Sequence, residues 1–298
     1  MGSTQFGNFH DFCRDSTLPV CNLFPGFSYT NSTGFTDSCH LTGIHLSGDK
    51  RLGNLGSILI AGVAIVVSAF LIWRSERKQA AVGRREMQVF LLGFIIIEIC
   101  EIFTVGKFPL NNSVRIAFTG IHLGMIAATL WVLLLNAIVG FQLLDDGTPL
   151  SVGLMVASAA ALFIGTGYIA LDTGYSWTGF FDKNSYGPLN RNTGLYVLYQ
   201  LAPLVFLFAF FVLETALVIR VLGERKPMIY LASAALLFAI GQIFNYVISV
   251  HICRGTSGKI DGALFETLFT LLSVVMVWVF WSSITEDDWP MPVTNTYP

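Results

Sequence analysis

Five ionisable side chains stand inside long apolar runs of this sequence: Glu98, Glu101, His122, Glu214 and Glu266. Gln200, Gln242 and Asn245 accompany them as neutral hydrogen-bonding groups. Ionisable groups are rare in hydrocarbon. Where they occur they face a protein interior, and they pair with one another or line a path for ions or protons. Glu98 and Glu101 are three residues apart, so on a helix they share a face. Apart from Glu214, the ionisable and amide groups all fall in one half of the bilayer, the outer half in the orientation derived below. Two chemistries fit such a set. One is a pocket, or a proton or ion relay, open to the outside. The other is interhelical hydrogen bonding that fixes the packing of a bundle, worth roughly 0.6–2 kcal/mol per bond. Packing is the favoured reading, because the carboxylates lack the dense periodic pairing of an ion pathway.

The elements that must position these groups are membrane helices. Of 298 residues, 54% are hydrophobic and 12% charged. A soluble domain carries roughly a quarter charged residues, so this composition points to lipid as the solvent. A crossing needs about 20 mostly apolar residues. Seven runs satisfy that, at 52–73, 87–106, 116–141, 151–171, 194–219, 228–250 and 262–284. None shows the alternating polarity of barrel strands. The expected fold class is therefore all-α, a polytopic seven-helix membrane bundle. The expected divisions are an N-terminal tail over 1–51, the bundle over 52–284 and a short acidic tail over 285–298. The net charge of −2, without a basic block, argues against nucleic acid as a partner. No apolar stretch near the start has the form of a cleavable signal, so the first span is expected to do the targeting.

Orientation rests on local charge rather than totals. Arg74, Arg77, Lys78, Arg84 and Arg85 follow the first span, against Lys50 and Arg51 before it. The first helix usually dominates, which places the N-terminus outside or in the lumen and, after an odd number of spans, the C-terminus in the cytosol. The glycosylation sequons at Asn31 and Asn111 then fall outside. So do Cys13, Cys21, Cys39 and Cys253, where oxidation is permitted, while Cys100 lies in a span. Four outside cysteines allow three pairings, and spacing does not choose among them.

Small residues form two stripes at four-residue spacing. Span three carries Gly120, Gly124 and Ala128; span four carries Gly153, Ala157, Ala161 and Gly165. Such stripes let helix backbones approach closely. Packing within the chain's own bundle is the simpler expectation for both, and docking of another protein's helix on span four is the sharper one.

Several activities lack their chemistry here. A zinc-dependent seven-span hydrolase needs clustered His and Asp, and His10, His40, His45, His122 and His251 form no such helix motif. A retinal protein needs a Lys in the last span, which has none. The acidic-Arg-aromatic triplet that ends span three of rhodopsin-like receptors is replaced by Ala137-Ile-Val-Gly-Phe-Gln142. No phosphate-cradling loop and no segment large enough for a soluble catalytic domain are present. These absences argue against an enzyme, and no cofactor or metal is expected.

The two ends are more specific. The run Phe9-His-Asp-Phe-Cys13-Arg-Asp-Ser-Thr-Leu18-Pro19-Val-Cys21 resembles the opening of the fungal chitin synthase export chaperones. The run Trp281-Ser-Ser-Ile-Thr285-Glu286-Asp287-Asp288-Trp289-Pro290 is similar to that family's C-terminal signature. With seven spans and a short acidic tail between and after them, the resemblance covers essentially the whole chain. It implies a multi-pass chaperone of the endoplasmic reticulum membrane that helps a multi-span chitin synthase fold and leave for the cell surface, where wall chitin is made. Acidic clusters in cytosolic tails can serve as export signals read by coat proteins; on residues alone Glu286, Asp287, Asp288 and Trp289 read as a solvated tail, and the resemblance favours contact with the export coat or the client. The chain is not expected to be the synthase itself, whose core needs metal-binding Asp residues in a cytosolic domain and a Gln-Arg-Arg-Arg-Trp helix. The nearest basic stretch, Gly223-Glu-Arg-Lys-Pro227, reads as a loop. The competing readings are a seven-span receptor or lipid-binding protein that uses the outer polar pocket, and a transporter. Internal pseudo-repeats, which would favour transport, are not evident.

Overall fold

The structure is a computed structural model that describes residues 6–24, 41–45, 51–106, 108–142, 146–181 and 191–285. Seven helices are long and apolar enough to cross a membrane: Leu55–Glu76, Arg84–Thr104, Asn112–Gly140, Pro149–Tyr175, Thr193–Leu222, Pro227–Gly255 and Gly262–Ile284. They are called spans one to seven. Their boundaries follow local chemistry rather than hydropathy. Span one begins at Leu55, not at the apolar Leu52, because the Asn54 side chain accepts the Ser57 amide at 3.2 Å and caps the first turn. Span four begins at Pro149, where the missing amide is harmless, and Thr148 caps it by accepting from the Ser151 amide at 3.2 Å. Span two begins after Gly83, whose left-handed φ of +69° suits a residue without a side chain.

Span three is the axle of the bundle, packing against spans two, four and five; span seven packs against six and one, and one against two. One apolar core fills the half of the bundle towards the C-terminal end of span seven, built on Phe90, Leu91, Phe94, Val132, Leu133, Phe210 and Phe280. A second core fills the opposite end, and much of it comes from residues outside the spans. Phe9, Cys13, Leu18, Val20, Cys21, Leu23 and Phe24 pack there against Ile116, Leu123, Ala170, Leu195 and Tyr199. The stretch 6–24 is therefore a folded plug, made of the short helix α1 (His10–Asp15) and a tight turn over Pro19–Leu23. Departures from all-helical structure among the described residues are small: a two-residue antiparallel ladder, β1 (Ile44–His45) with β2 (Arg51–Leu52), and a bridge between Asn8 and Arg191.

Spans five and six are not regular helices. Tyr196–Leu201, Leu217–Leu222 and Phe244–Ile248 are π turns. The first ends just before Pro203, whose ring crowds the preceding turn and which donates no amide. The wider turn accommodates it, and the Ala202 amide bonds back to the Val197 carbonyl, five residues earlier.

Candidate functional site

The sequence-predicted polar residues gather in the end of the bundle beneath the plug. Span two supplies Glu98 and Glu101 on one inward face, as their spacing requires. Glu101 approaches span three through His122, its Oε2 lying 3.6 Å from Nε2. The other imidazole nitrogen, Nδ1, lies 2.9 Å from the Thr104 hydroxyl, which donates to the Cys100 carbonyl at 2.9 Å. His122 thus bridges Glu101 and Thr104 of span two, one through each ring nitrogen. Glu98 is buried, lies within electrostatic reach of Glu101 and Glu266, and leaves Oε2 without a hydrogen-bond partner.

The second group belongs to spans five, six and seven. Glu266 accepts from Gln242 Nε2 at 3.1 Å through Oε1 and from Asn245 Nδ2 through Oε2. Tyr246 donates its hydroxyl to Gln200 Oε1 at 3.1 Å, joining span six to span five. Gln200 sits in one π turn, and Asn245 and Tyr246 in another. The extra residue in each turn rotates these side chains relative to a regular helix, and so into the interior. This is a web of interhelical hydrogen bonds that binds two to three, six to seven and five to six. Glu214 stands apart, buried towards the other end of span five with Oε2 unpartnered.

The plug closes this web from above. Phe12 meets the Tyr246 ring edge-on with centroids 5.8 Å apart, and Phe9 meets Tyr196 at 5.7 Å. Asn22 donates to the Thr119 hydroxyl at 3.3 Å. Sequence reasoning missed the strongest tie. Asp261, fully buried just before span seven, accepts from the Thr17 hydroxyl at 2.9 Å and from Asn54 Nδ2 at 2.8 Å. One carboxylate thus joins the plug, the cap of span one and the start of span seven. The signal was available only as an isolated Asp at the edge of an apolar run. Within the plug, Cys13 is disulfide-bonded to Cys21. Cys253 is also disulfide-bonded, with its partner outside the described residues. Cys100 is a buried free thiol.

The two stripes of small residues have different fates. At Gly124 the backbone of span four comes close: a Cβ built on it would lie 2.8 Å from the Phe163 carbonyl oxygen. Gly120 faces the Leu171 side chain of span four, so the span-three stripe is spent inside the bundle. On span four, Gly153, Ala157, Ala161 and Gly165 are all exposed, and a Cβ on Gly153 or Gly165 would meet nothing within 4 Å. That stripe faces the lipid, contrary to the simpler expectation. Asn111 is exposed at the start of span three, on the plug's end of the bundle. Asn31, Cys39, Glu286, Asp287, Asp288 and Trp289 lie outside the described residues. Among the described residues, no three of His, Cys, Asp and Glu form a group able to hold a metal ion.

The C-terminal motif also has a structural meaning. Trp281 is buried and donates its indole N–H to the Val82 carbonyl at 2.9 Å. Lys78 Nζ donates to the Ser282 carbonyl at 3.2 Å, and Trp278 donates to the Ser75 hydroxyl at 2.7 Å. The connection between spans one and two is thereby stapled to the last turns of span seven.

Comparison with known proteins covers nearly the whole chain. A family model described as chitin synthase export chaperone matches residues 5–295. A chitin synthase export chaperone of Coccidioides immitis is 32% identical over 285 residues, covering 95% of this chain and 84% of that protein. One from Chaetomium globosum is 33% identical, covering 95% and 83%, and one from Neurospora crassa 30% identical, covering 95% and 78%. No solved structure matches. With matches this long at both the plug and the staple, the chain belongs to the chitin synthase export chaperone family.

Proposed function

We propose that this protein is a membrane escort that assists the folding and endoplasmic reticulum export of a multi-span chitin synthase, and that it grips its client along span four. The observation that carries the docking face is the outward stripe of Gly153, Ala157, Ala161 and Gly165. A bundle that buries one such stripe and leaves the other bare presents a surface on which a second helix can approach closely. A client span with polar side chains is unstable alone in lipid, because its hydrogen-bonding groups lack partners. Close packing on a companion holds it until its own bundle assembles.

The reading places the plug in the reticulum lumen and the stapled end in the cytosol. It gives the acidic tail residues Glu286, Asp287, Asp288 and Trp289 the role of contacting the export coat. The disulfides and the arginine-rich first connection support that orientation. The receptor alternative has less support, since residues 6–24 fill the mouth through which an outside ligand would reach the polar web.

In cells lacking the protein, a fluorescent chitin synthase is expected to remain in the reticulum and wall chitin to fall. A synthase that still reached the surface and made normal chitin would overturn the escort reading. Replacing Ala157 and Ala161 with Leu is expected to abolish co-purification of the client while leaving thermal stability unchanged. Full co-purification would remove span four as the docking face and leave the escort reading standing.

A further inference from the structure

A groove of about 430 Å³ opens sideways between spans one, two and four at the stapled end of the bundle. Its walls are Ile72 of span one, Arg85, Gln88, Val89 and Leu92 of span two, and Gly147, Thr148, Pro149 and Val152 at the entry to span four. The span-two residues recur at i, i+3, i+4 and i+7, one stripe of one helix. Polarity is graded along that stripe. Arg85 and Gln88 lie at the end of the helix beside Thr148 and Gly147, while Val89, Leu92, Val152 and Ile72 lie deeper in the bilayer.

A groove that opens to hydrocarbon below and to a charged rim above fits an amphiphile whose head lies at the membrane surface. The rim fixes the sign of that head. Arg74, Arg77, Lys78, Arg84 and Arg85 outnumber the carboxylates near them, Glu76 on this connection and, beside Gly147, Asp146, whose Oδ2 accepts from the Gly83 amide at 3.1 Å; Glu86 is fully buried. Its Oε1 accepts from the Gly147 amide at 3.0 Å and from the Ser151 hydroxyl at 3.3 Å, while its Oε2 is buried without a hydrogen-bond partner. Arg85 is oriented at the rim through Nη1, which donates to Glu76 at 3.1 Å and to Gln88 at 3.0 Å, while its side chain remains 48% exposed. The volume lies within the roughly 300–1,000 Å³ range of small-molecule sites.

We infer that this groove is a binding site for an anionic glycerophospholipid of the adjoining leaflet, with its acyl chains along Val89, Leu92 and Val152 and its acidic head at Arg85. The inference is independent of the escort reading, since it rests on the groove and its rim alone.

The test uses the full chain in nanodiscs of mixed phosphatidylserine and phosphatidylcholine, released into a native mass spectrometer. The chain is expected to retain a phosphatidylserine under activation that strips phosphatidylcholine. Arg85→Gln is expected to lower that preference about fivefold, the effect of one juxtamembrane cation at an anionic head. Val152→Trp, which fills the groove, is expected to abolish retention. Leu92→Trp on the facing wall serves if the first variant does not fold. Equal retention of both lipids by the unaltered chain would mean annular lipid only and overturn the proposal. So would a preference that survives both groove-filling variants, or one indifferent to Arg85→Gln.

Discussion

Glu266 holds two amide donors that come from another helix, and removing it would leave both of them stranded in a dry interior. An unpaired buried donor costs about 1–3 kcal/mol. Glu266→Ala is therefore expected to lower stability by at least that amount in a thermal or denaturant melt, while Glu266→Gln keeps one of the two bonds and loses less. Glu98 predicts the opposite sign. Its Oε2 has no partner, so the apolar, similarly shaped Glu98→Met is expected to be neutral or stabilising in the same melt. If both variants lost equally, the two carboxylates would not differ as the geometry says. The cysteines give a second test. The Cys13–Cys21 bridge closes a short loop, worth about 2–3 kcal/mol by loop entropy, and Cys13→Ser is expected to speed hydrogen exchange across residues 6–24. Cys253 is bonded as well, while Cys100 is a free thiol. Peptide mapping without reduction is expected to recover Cys13 joined to Cys21 and Cys253 in a separate disulfide; a peptide joining Cys253 to Cys13 or Cys21 would contradict it. The inward carboxylates were legible in the sequence because charge inside an apolar run has few explanations. Asp261 and Thr17 were not, because an Asp before a helix and a Thr in a tail are ordinary until the fold brings them together.

The same substitution in two spans should have opposite effects. Gly124→Ala puts a methyl group 2.8 Å from the Phe163 carbonyl oxygen and is expected to destabilise the span-three to span-four contact. Gly165→Ala meets nothing within 4 Å and relieves a helix of a flexible residue, so a gain of up to about 1 kcal/mol is expected. Equal effects would mean that the two stripes are not used differently. Sequence periodicity reveals each stripe but not the side it faces, because spacing by four says only that residues share a helix face. The spans themselves were legible because crossing a bilayer demands a long apolar run. Their ends were less so: the caps at Asn54 and Thr148 and the turn at Gly83 decide them. The π turns left no periodic trace. Each adds one residue to one turn, and only Pro203 marks one of them.

At the scale of the molecule, the two motifs that carried the family resemblance are closures, one at each end of the bundle. Phe9, Cys13, Leu18 and Cys21 form the plug, and Trp281 and Ser282 belong to the staple that holds the first connection. The sequence displayed the motifs without displaying that they pack, because the plug's apolar residues follow neither a helical nor a strand period. Orientation can be checked directly. In sealed microsomes, a C-terminal tag is expected to be digested by added protease while residues 6–24 stay protected; the reverse pattern would invert the topology. The Thr17–Asp261 bond spans 244 positions of the chain. A ribosome adding about 5–20 residues per second needs on the order of 10–50 s to cover that distance. For that interval the N-terminal segment has emerged but has no seat, since Asp261 and the seventh helix do not yet exist. Seating the plug therefore follows translation of span seven, and marks in time the moment at which the bundle beneath it can close.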